Sequence, residues 1–284
     1  MTTEFQRKPN WLKIKLPDLK ESANVIGILG KNAVNTICSS GMCPNRGECW
    51  GHGTATFMLG GDTCTRACRF CVVKTGNPHG KINKDEVIKI AETVKSLNLK
   101  HVVLTSVDRD DLADGGADHW TQVIGKIKEQ CPNVTIEALI PDFLGNPLCL
   151  DMIVEAGPDV ISHNMETVKR LTPAVRSVAT YERSLGVIRH VSKSGIRSKS
   201  GLMLGLGESL NEVLATMDDL IEAGCKVLTV GQYLRPNLKC LPVEKYWTPD
   251  EFELIREEAL NKGFQYVESG PFVRSSFHAE RHVK

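Results

Sequence analysis

The stretch Thr54-Ala-Thr-Phe-Met-Leu59, followed by Gly61-Asp-Thr-Cys-Thr-Arg-Ala-Cys-Arg-Phe-Cys71, decides how the rest of the chain is interpreted. The first six residues predict a β-strand, and the next segment places three cysteines in the spacing C-x3-C-x2-C directly after it. Residues 86–97 then predict a helix, because apolar residues recur at helical spacing. A strand, a cysteine loop and a helix in this order predict the first unit of a parallel sheet.

The same alternation of strand and helix continues along the chain. Further strands are predicted at residues 101–107, 134–140, 159–165, 200–206 and 226–233, and helices at 119–130, 146–156, 180–194 and 210–223. About six strand–helix units favour an α/β fold, a partial (βα)6 TIM-like barrel. A doubly wound open sheet is the competing architecture, and periodicity alone does not distinguish the two.

The two ends of the chain differ from this middle. Residues 1–53 are rich in Gly, Asn, Cys and Pro, whereas residues 234–284 contain a proline-rich link, a helix at 249–262, a short strand at 265–268 and a polar tail. We therefore predict an N-terminal extension (1–53), a barrel (54–233) and a C-terminal extension (234–284). Both extensions are expected to pack on the barrel.

Composition excludes several classes of function. The 284 residues include 35 Lys plus Arg and 34 Asp plus Glu, so the net charge of +1 predicts neither a nucleic-acid nor a membrane binder. The N-terminal residues contain no apolar core of a secretory signal, and no run of 18 apolar residues occurs. We expect a soluble protein of the cytoplasm, or the mature form from an organelle.

Ten cysteines in such a reducing compartment predict metal ligands, not a disulfide framework. Cys64, Cys68 and Cys71 can hold three corners of a cubic [4Fe–4S] cluster and leave its fourth iron open to chelate a substrate. A structural zinc site is the alternative, but zinc normally takes two close pairs of ligands. The dispersed cysteines at 131, 149, 225 and 240 are predicted to be mostly apolar fillers.

Another triplet lies upstream, where Cys38, Cys43 and Cys49 form C-x4-C-x5-C. In chain order this is the first triplet, and Cys64, Cys68 and Cys71 are the second. Three thiolates on an irregular loop predict a second iron–sulfur cluster. Free or redox-active cysteines are the alternative. A further ligand is needed unless this cluster also binds substrate, and an oxygen or nitrogen donor from elsewhere could supply it.

These motifs resemble a known family. C-x3-C-x-aromatic-C after the first strand of a βα barrel, with Phe70 as the aromatic, resembles the radical S-adenosylmethionine superfamily, and the upstream triplet resembles lipoyl synthases within it. The resemblance covers nearly the whole chain and includes these segments: Arg7–Leu12, Cys43–Trp50, Thr54–Phe57, Leu104–Leu112, Asp114–Ala117, Glu137–Phe143, His163–Val168, Ser200–Glu208 and Arg274-Ser-Ser276.

The resemblance implies an activity and its cofactors. S-adenosylmethionine would bind the open iron at Cys64, Cys68 and Cys71, be cleaved to a 5′-deoxyadenosyl radical, and lead to insertion of sulfur at carbons 6 and 8 of an octanoyl chain. The sulfur would come from a second [4Fe–4S] cluster at Cys38, Cys43 and Cys49, with Ser276 as its fourth ligand. The implied catalytic set is therefore Ser276, Cys64, Cys68 and Cys71.

The implied partners are an octanoylated lipoyl carrier domain, an electron donor such as ferredoxin or flavodoxin, and an iron–sulfur repair protein. For S-adenosylmethionine itself, predicted strand ends offer polar side chains that a barrel brings to one face. With the aromatic Phe70, they are Thr105, Ser106, Glu137, Asn164, Glu166, Arg176 and Lys199. A carboxylate such as Glu166 could accept from ribose hydroxyls, and Arg176 or Lys199 could face the methionyl carboxylate.

Three positions depart from the family pattern, namely Phe277 in place of Tyr, Arg235 in place of Gln and Cys240 in place of His. The sequence leaves two other interpretations open. One is another radical enzyme with an auxiliary cluster, such as a relative of biotin synthase. The other is a non-catalytic iron–sulfur carrier or a zinc-stabilised binding module.

Overall fold

A computed structural model describes residues 7–13, 27–30, 32, 34–41, 43, 45–51 and 53–283. The predicted N-terminal extension is thus described only in part, since residues 1–6, 14–26, 31, 33, 42, 44 and 52 lie outside the described residues. The strands are β1 (Thr54–Leu59), β2 (Thr63–Cys64), β3 (Lys74–Thr75), β4 (His101–Ser106), β5 (Thr135–Leu139), β6 (Val160–Ser162), β7 (Arg197–Leu204), β8 (Val227–Gln232) and β9 (Tyr266–Gly270).

The α-helices are α1 (Ile37–Ser40), α2 (Arg46–Gly51), α3 (Asp85–Ser96), α4 (Ala117–Gln130), α5 (Pro147–Ala156), α6 (Thr172–Val175), α7 (Tyr181–Lys193), α8 (Leu210–Glu222) and α9 (Pro249–Lys262). Short 3-10 helices occur at Asn10–Leu12, Phe143–Gly145 and Ala279–Val283. All seven strands and all six helices predicted from the sequence are confirmed, with no end shifted by more than three residues.

A seven-stranded sheet organises the molecule, in the order β1-β4-β5-β6-β7-β8-β9. Every neighbouring pair is parallel. A doubly wound sheet reverses its strand order at a switch point, whereas this sheet follows chain order throughout. The predicted partial barrel is therefore confirmed, and within the described residues β1 and β9 are not paired with each other.

The C-terminal extension contributes a strand of its own to this sheet. The strand predicted at 265–268 is β9, which pairs with β8 in the register Val227↔Tyr266 to Gly231↔Gly270. Helix α9 is the crossover between them. It starts at a capping box, in which Thr248 and Glu251 bond reciprocally, and ends at Gly263 in the left-handed conformation.

Apolar faces of the helices cover the outside of the sheet. Ile90 and Val94 of α3 pack with Trp120 and Ile124 of α4 against the first strands, and all four are at most 1% exposed. A second apolar cluster joins β7 and β8 to α8 and α9. Because the helices take the apolar outer face, polar strand residues can lie inside the barrel.

No helix in the described ranges is long and apolar enough to cross a membrane.

Candidate active site

The loop that carries Cys64, Cys68 and Cys71 is fixed at the C-terminal end of the barrel. Its backbone is held from two sides, since Arg69 N–H donates to Val175 at 2.9 Å and Leu241 N–H donates to Arg69 at 2.9 Å. The Ala67 N–H also donates to Ser177 Oγ at 3.0 Å. These bonds order a loop that has almost no regular structure of its own.

The Cys64 sulfur accepts two backbone hydrogen bonds. The donors are the Asp108 N–H at 3.3 Å and the Arg66 N–H at 3.4 Å. Burial and the Asp108 carboxylate nevertheless raise the pKa of the Cys64 thiol to about 12. Iron must therefore displace the proton when it binds, and the two N–H donors then favour the thiolate.

Arg66 lies between two of these cysteines and is 2% exposed at its side chain. Its guanidinium pairs with Asp108 at 3.2 Å, Asp110 at 2.8 Å and Asp142 at 2.7 Å. Although burial opposes ionisation, Arg66 lowers the pKa of Asp142 to about 2. A buried cation with several carboxylates is fully compensated, so it cross-links the cysteine loop to the ends of β4 and β5.

A cavity of about 260 Å³, open to solvent, lies above the strand ends. All three cysteines of the loop line it. So do six of the residues that the sequence predicted for S-adenosylmethionine: Phe70, Thr105, Ser106, Asn164, Glu166 and Arg176. The structure thus brings the second triplet and most of the predicted polar residues to one cavity, as parallel strand ends should.

Unpartnered polar atoms in this cavity test whether a polar ligand fits. Ser106 Oγ, Asn164 Oδ1 and Arg176 Nε are buried without a hydrogen-bond partner among the described residues. Buried polar groups rarely stay unpaired, so three of them around one cavity fit a ligand that supplies donors and acceptors. S-adenosylmethionine offers an ammonium, a carboxylate and ribose hydroxyls.

The backbone at Glu166 adopts a strained, left-handed conformation. Glu166 has φ of 66°, unusual for a side chain other than glycine. Its N–H donates to Gly201 at 3.0 Å and its C=O accepts from Met203 at 2.9 Å. A Cβ at Gly201 would lie 2.8 Å from Asn164 Oδ1, so only glycine leaves room for this arrangement.

Two predicted ligand residues lie elsewhere. Glu137 and Lys199 are fully buried inside the barrel and pair with each other, Nζ to Oε2, at 2.8 Å. Ser162 Oγ donates to the same carboxylate at 2.7 Å. Neither Glu137 nor Lys199 is among the residues that line the cavity. Their contacts are those of a structural pair joining β5, β6 and β7.

The first triplet forms a compact group on α1, α2 and the loop between them. Burial, together with the neighbouring Cys43 and Cys38, raises the pKa of the Cys49 thiol to about 12. Burial raises the pKa of the Cys38 thiol, and the Trp50 indole, which lies towards this sulfur, partly opposes the rise. The buried Nε1 of that indole has no hydrogen-bond acceptor among the described residues. An N–H directed at a cysteine sulfur fits a cluster thiolate, which accepts such bonds.

The C-terminal segment reaches this triplet. Asn45 Nδ2 donates to the Phe272 carbonyl at 2.7 Å. Burial raises the pKa of the Cys43 thiol, and the nearby Arg274 guanidinium partly opposes this rise. Ser275 lines the main cavity, and Ser276, the next residue, is half-buried. The predicted fourth ligand therefore lies on a segment that contacts the loop of the first triplet.

Within the described part of the chain, no three His, Cys, Asp or Glu side chains converge on a point where a single metal ion could bind. A cubic cluster does not need such convergence, because each thiolate binds a different iron atom. Three thiols per loop are a donor set that fits a cubic cluster, whereas structural zinc normally takes four ligands.

Comparison with known proteins agrees with this geometry. The Radical SAM superfamily profile matches residues 58–220. The lipoyl synthase of Treponema denticola is 57% identical over 98% of this chain and 96% of its own length, and that of Parabacteroides distasonis is 53% identical over 98% of each chain. The chain belongs to the lipoyl synthase family.

A solved structure supports the fold of this lipoyl synthase family member. The crystal structure of Streptococcus suis SuiB bound to S-adenosylmethionine superposes with a TM-score of 0.60 at 10% identity, covering 80% of this chain and 54% of that chain. At this identity the likeness concerns the barrel alone.

Several residues at the active site of this lipoyl synthase family member were not predicted from the sequence. Arg66, Asp108, Asp142 and Ser177 hold the second triplet, yet none was predicted to act there. Arg66 did carry a signal, since it lies inside C-x3-C. His163 borders the cavity, but its ring nitrogens bond Ile140 O and Ser184 Oγ, both at 2.9 Å.

The departures from the lipoyl synthase pattern have local contacts. The Arg235 Nε donates to the carbonyls of Asn237 at 3.1 Å and Cys240 at 2.9 Å, which folds this loop on itself. The Cys240 sulfur lies 3.6 Å from the carbonyl of Cys71. Phe277 packs on the ring of His278 at 3.9 Å. These three side chains thus support loops beside the two triplets.

Proposed function

We propose that this chain is a lipoyl synthase that inserts two sulfur atoms, at carbons 6 and 8, into a protein-bound octanoyl-lysine. Two molecules of S-adenosylmethionine would be used per product. When bound, one [4Fe–4S] cluster at Cys64, Cys68 and Cys71 would supply the electron that cleaves S-adenosylmethionine, and a second at Cys38, Cys43, Cys49 and Ser276 would supply the sulfur.

The shared cavity carries this proposal. Ile37 and Ser275 line the same cavity as the second triplet. In sequence they are the immediate neighbours of Cys38 and Ser276, which belong to the other proposed cluster site. An acyl chain that enters this cavity would therefore lie between the two sites, which is the arrangement that sulfur insertion after hydrogen removal requires.

The residues of the chain would act by positioning. The octanoyl C–H bonds are not acidic, so no side-chain base can remove the hydrogen atoms, and the protein must hold the reactants and exclude water. Of the two predicted cations, Arg176 lines the cavity and can face the methionyl carboxylate, with Asn164 and Glu166 beside it for polar groups of the nucleoside. Thr105 and Ser106 offer hydroxyls at the end of β4.

The proposed reaction fixes the classes of partner. An octanoylated lipoyl carrier domain would deliver the substrate, and an electron donor such as ferredoxin or flavodoxin would reduce the cluster. An iron–sulfur repair protein would rebuild the cluster that donates sulfur. Because ten free cysteines need a reducing environment, we propose a cytoplasmic location.

The decisive experiment is anaerobic, with reconstituted protein, dithionite, S-adenosylmethionine and an octanoyl-lysyl peptide. We expect two equivalents of 5′-deoxyadenosine per peptide that gains two sulfurs and loses two hydrogens, measured by mass spectrometry. Formation of 5′-deoxyadenosine with an unchanged peptide would instead point to another radical enzyme, and no 5′-deoxyadenosine would point to an iron–sulfur carrier.

Paired serine variants test the role of the tail. Ser276→Ala should still cleave S-adenosylmethionine but leave the peptide without sulfur, whereas Ser275→Ala should retain the iron of both clusters. Equal iron content and sulfur insertion in Ser276→Ala and the unchanged protein would contradict the assignment of this ligand.

A further inference from the structure

The C-terminal residues run the length of the barrel. Val273 lies against β8 near its C-terminal end, where a Cβ on Gly231 would collide with the Val273 carbonyl oxygen. Glu280, seven residues later, accepts a hydrogen bond from Thr54 Oγ1 at 3.3 Å, at the start of β1. Turns at residues 275–278, one of them closed by the Phe277 N–H donating to the Arg274 carbonyl at 2.9 Å, connect these two contacts. Ser276 thus lies on a segment that is held at both ends.

The 3-10 helix Ala279–Val283, called here the base plug, occupies the lower end. Ala279 and His282 are 0% exposed, and the helix contacts β4 and β5. The ring of His282 lies 4.7 Å from that of Tyr266, the first residue of β9. Side chains from the N-terminal ends of the strands therefore enclose the plug, on the face opposite the cysteine loop.

The plug is held by packing more than by hydrogen bonds. Both ring nitrogens of His282 and Nε2 of His101 are buried without a partner among the described residues. Burial, and after it the nearby Lys199, lowers the pKa of His282 and keeps its ring neutral. A neutral aromatic ring in a shaped pocket contributes through its contact area and tilted ring pair.

We propose that His282 is a positioning residue: by seating the base plug, it holds the C-terminal segment so that Ser276 reaches the cluster at Cys38, Cys43 and Cys49. This inference rests on the proposed function. An alkoxide is a weak ligand for iron, and a ligand that leaves and returns must stay nearby. A segment fixed at Val273 and at the plug keeps Ser276 within reach after it has left the iron.

The first test uses cluster-free protein and hydrogen exchange of the peptide covering residues 273–283. His282→Ala should raise its exchange rate by at least about tenfold, because truncating a buried ring leaves a cavity and undocks the plug. His282→Phe keeps the ring and needs no hydrogen bonds, so it should exchange like the unchanged protein. Arg281→Ala, on the exposed side of the same helix, is the matched control and should also be unchanged.

The second test uses reconstituted protein and measures iron release to a chelator. His282→Ala should lose iron from the cluster of the first triplet at least about tenfold faster, with normal retention in His282→Phe and Arg281→Ala. S-adenosylmethionine cleavage should persist in all three, since the second triplet lies at the other end of the barrel. If His282→Ala fails to fold, Ala279→Leu, which pushes the plug out without leaving a cavity, takes its place.

The outcomes separate this inference from the proposed function. Unchanged tail exchange in His282→Ala overturns the docking role, and faster exchange with unchanged iron release overturns the positioning of Ser276. Exchange in His282→Phe as fast as in His282→Ala overturns the packing role of the ring. A protein that never assembles the cluster at Cys38, Cys43 and Cys49 overturns the proposed function. The exchange test on cluster-free protein still decides whether His282 docks the base plug.

Discussion

Single side chains beside the two triplets carry much of the site. The buried guanidinium of Arg66 forms ion pairs with three carboxylates, those of Asp108, Asp110 and Asp142. Removal of such a partner leaves uncompensated charges, which is more damaging than loss of an exposed ion pair. Trp50 is the corresponding residue at the first triplet, where its unpartnered N–H lies towards Cys38.

Trp50→Phe should lower the midpoint potential of the cluster at the first triplet by on the order of tens of millivolts. A donated N–H stabilises the extra negative charge of the reduced cluster, and phenylalanine keeps most of the packing without that donor. Potentiometry followed by electron paramagnetic resonance measures the shift. Trp11→Phe, which removes a half-exposed indole, is the control. An unchanged potential in Trp50→Phe would show that the indole does not bond the sulfur.

At the scale of elements, the C-terminal extension completes the barrel. β9 adds the seventh strand, and the residues after it pack against β8 and β1. This contact depends on Gly231, whose missing side chain lets the Val273 backbone approach. Strand β9 and the residues after it thus pack together with the loop of the first triplet.

Gly231→Ala should lower the free energy of unfolding by roughly 1–3 kcal/mol, because the new Cβ forces the Val273 backbone away. Chemical denaturation of the cluster-free protein measures this loss. Gly125→Ala lies within α4 with nothing within 4 Å of the added carbon, so it should be neutral or stabilising by up to about 1 kcal/mol. Equal stability of Gly231→Ala and the unchanged protein would contradict the close approach.

Across the whole molecule, buried neutral histidines make stability depend on pH. Burial, with Lys199 nearby, lowers the pKa of His101 to about 3 and that of His282 to about 2. The unfolded chain binds these protons near its ordinary value of about 6.5, so acid favours unfolding. The stability that these rings contribute is complete above pH 6.5 and falls as pH decreases below it.

We expect the cluster-free protein to lose roughly 2 kcal/mol of unfolding free energy per such histidine between pH 7 and pH 5. His282→Phe should lose about 2 kcal/mol less over this range, because one proton-binding site of the unfolded state is gone. Besides His101 and Tyr266, the charged groups that face this ring are Lys199, His278 and Arg281. Denaturant titrations at the two pH values test the expectation, and identical pH slopes for both proteins would contradict it.

The sequence by itself determined the order of strands and helices and the two cysteine triplets that we propose as cluster ligands. Both are local in origin: periodicity of apolar residues defines the elements, and cysteine spacing within one loop defines a donor set. The sequence also predicted that Asn164, Glu166 and Arg176 share one face, since parallel strands place their C-terminal ends together. In the structure all three line one cavity.

Only the tertiary structure decided which polar residues pair with each other. Like Glu166 and Arg176, Glu137 and Lys199 are charged residues that were predicted at strand ends. In the structure, however, Glu137 and Lys199 lie inside the barrel and form an ion pair at 2.8 Å. Likewise, nothing in the sequence around His282 distinguishes a plug residue from a polar tail. Burial depends on contacts between segments far apart in the chain, whereas periodicity and spacing are properties of neighbours.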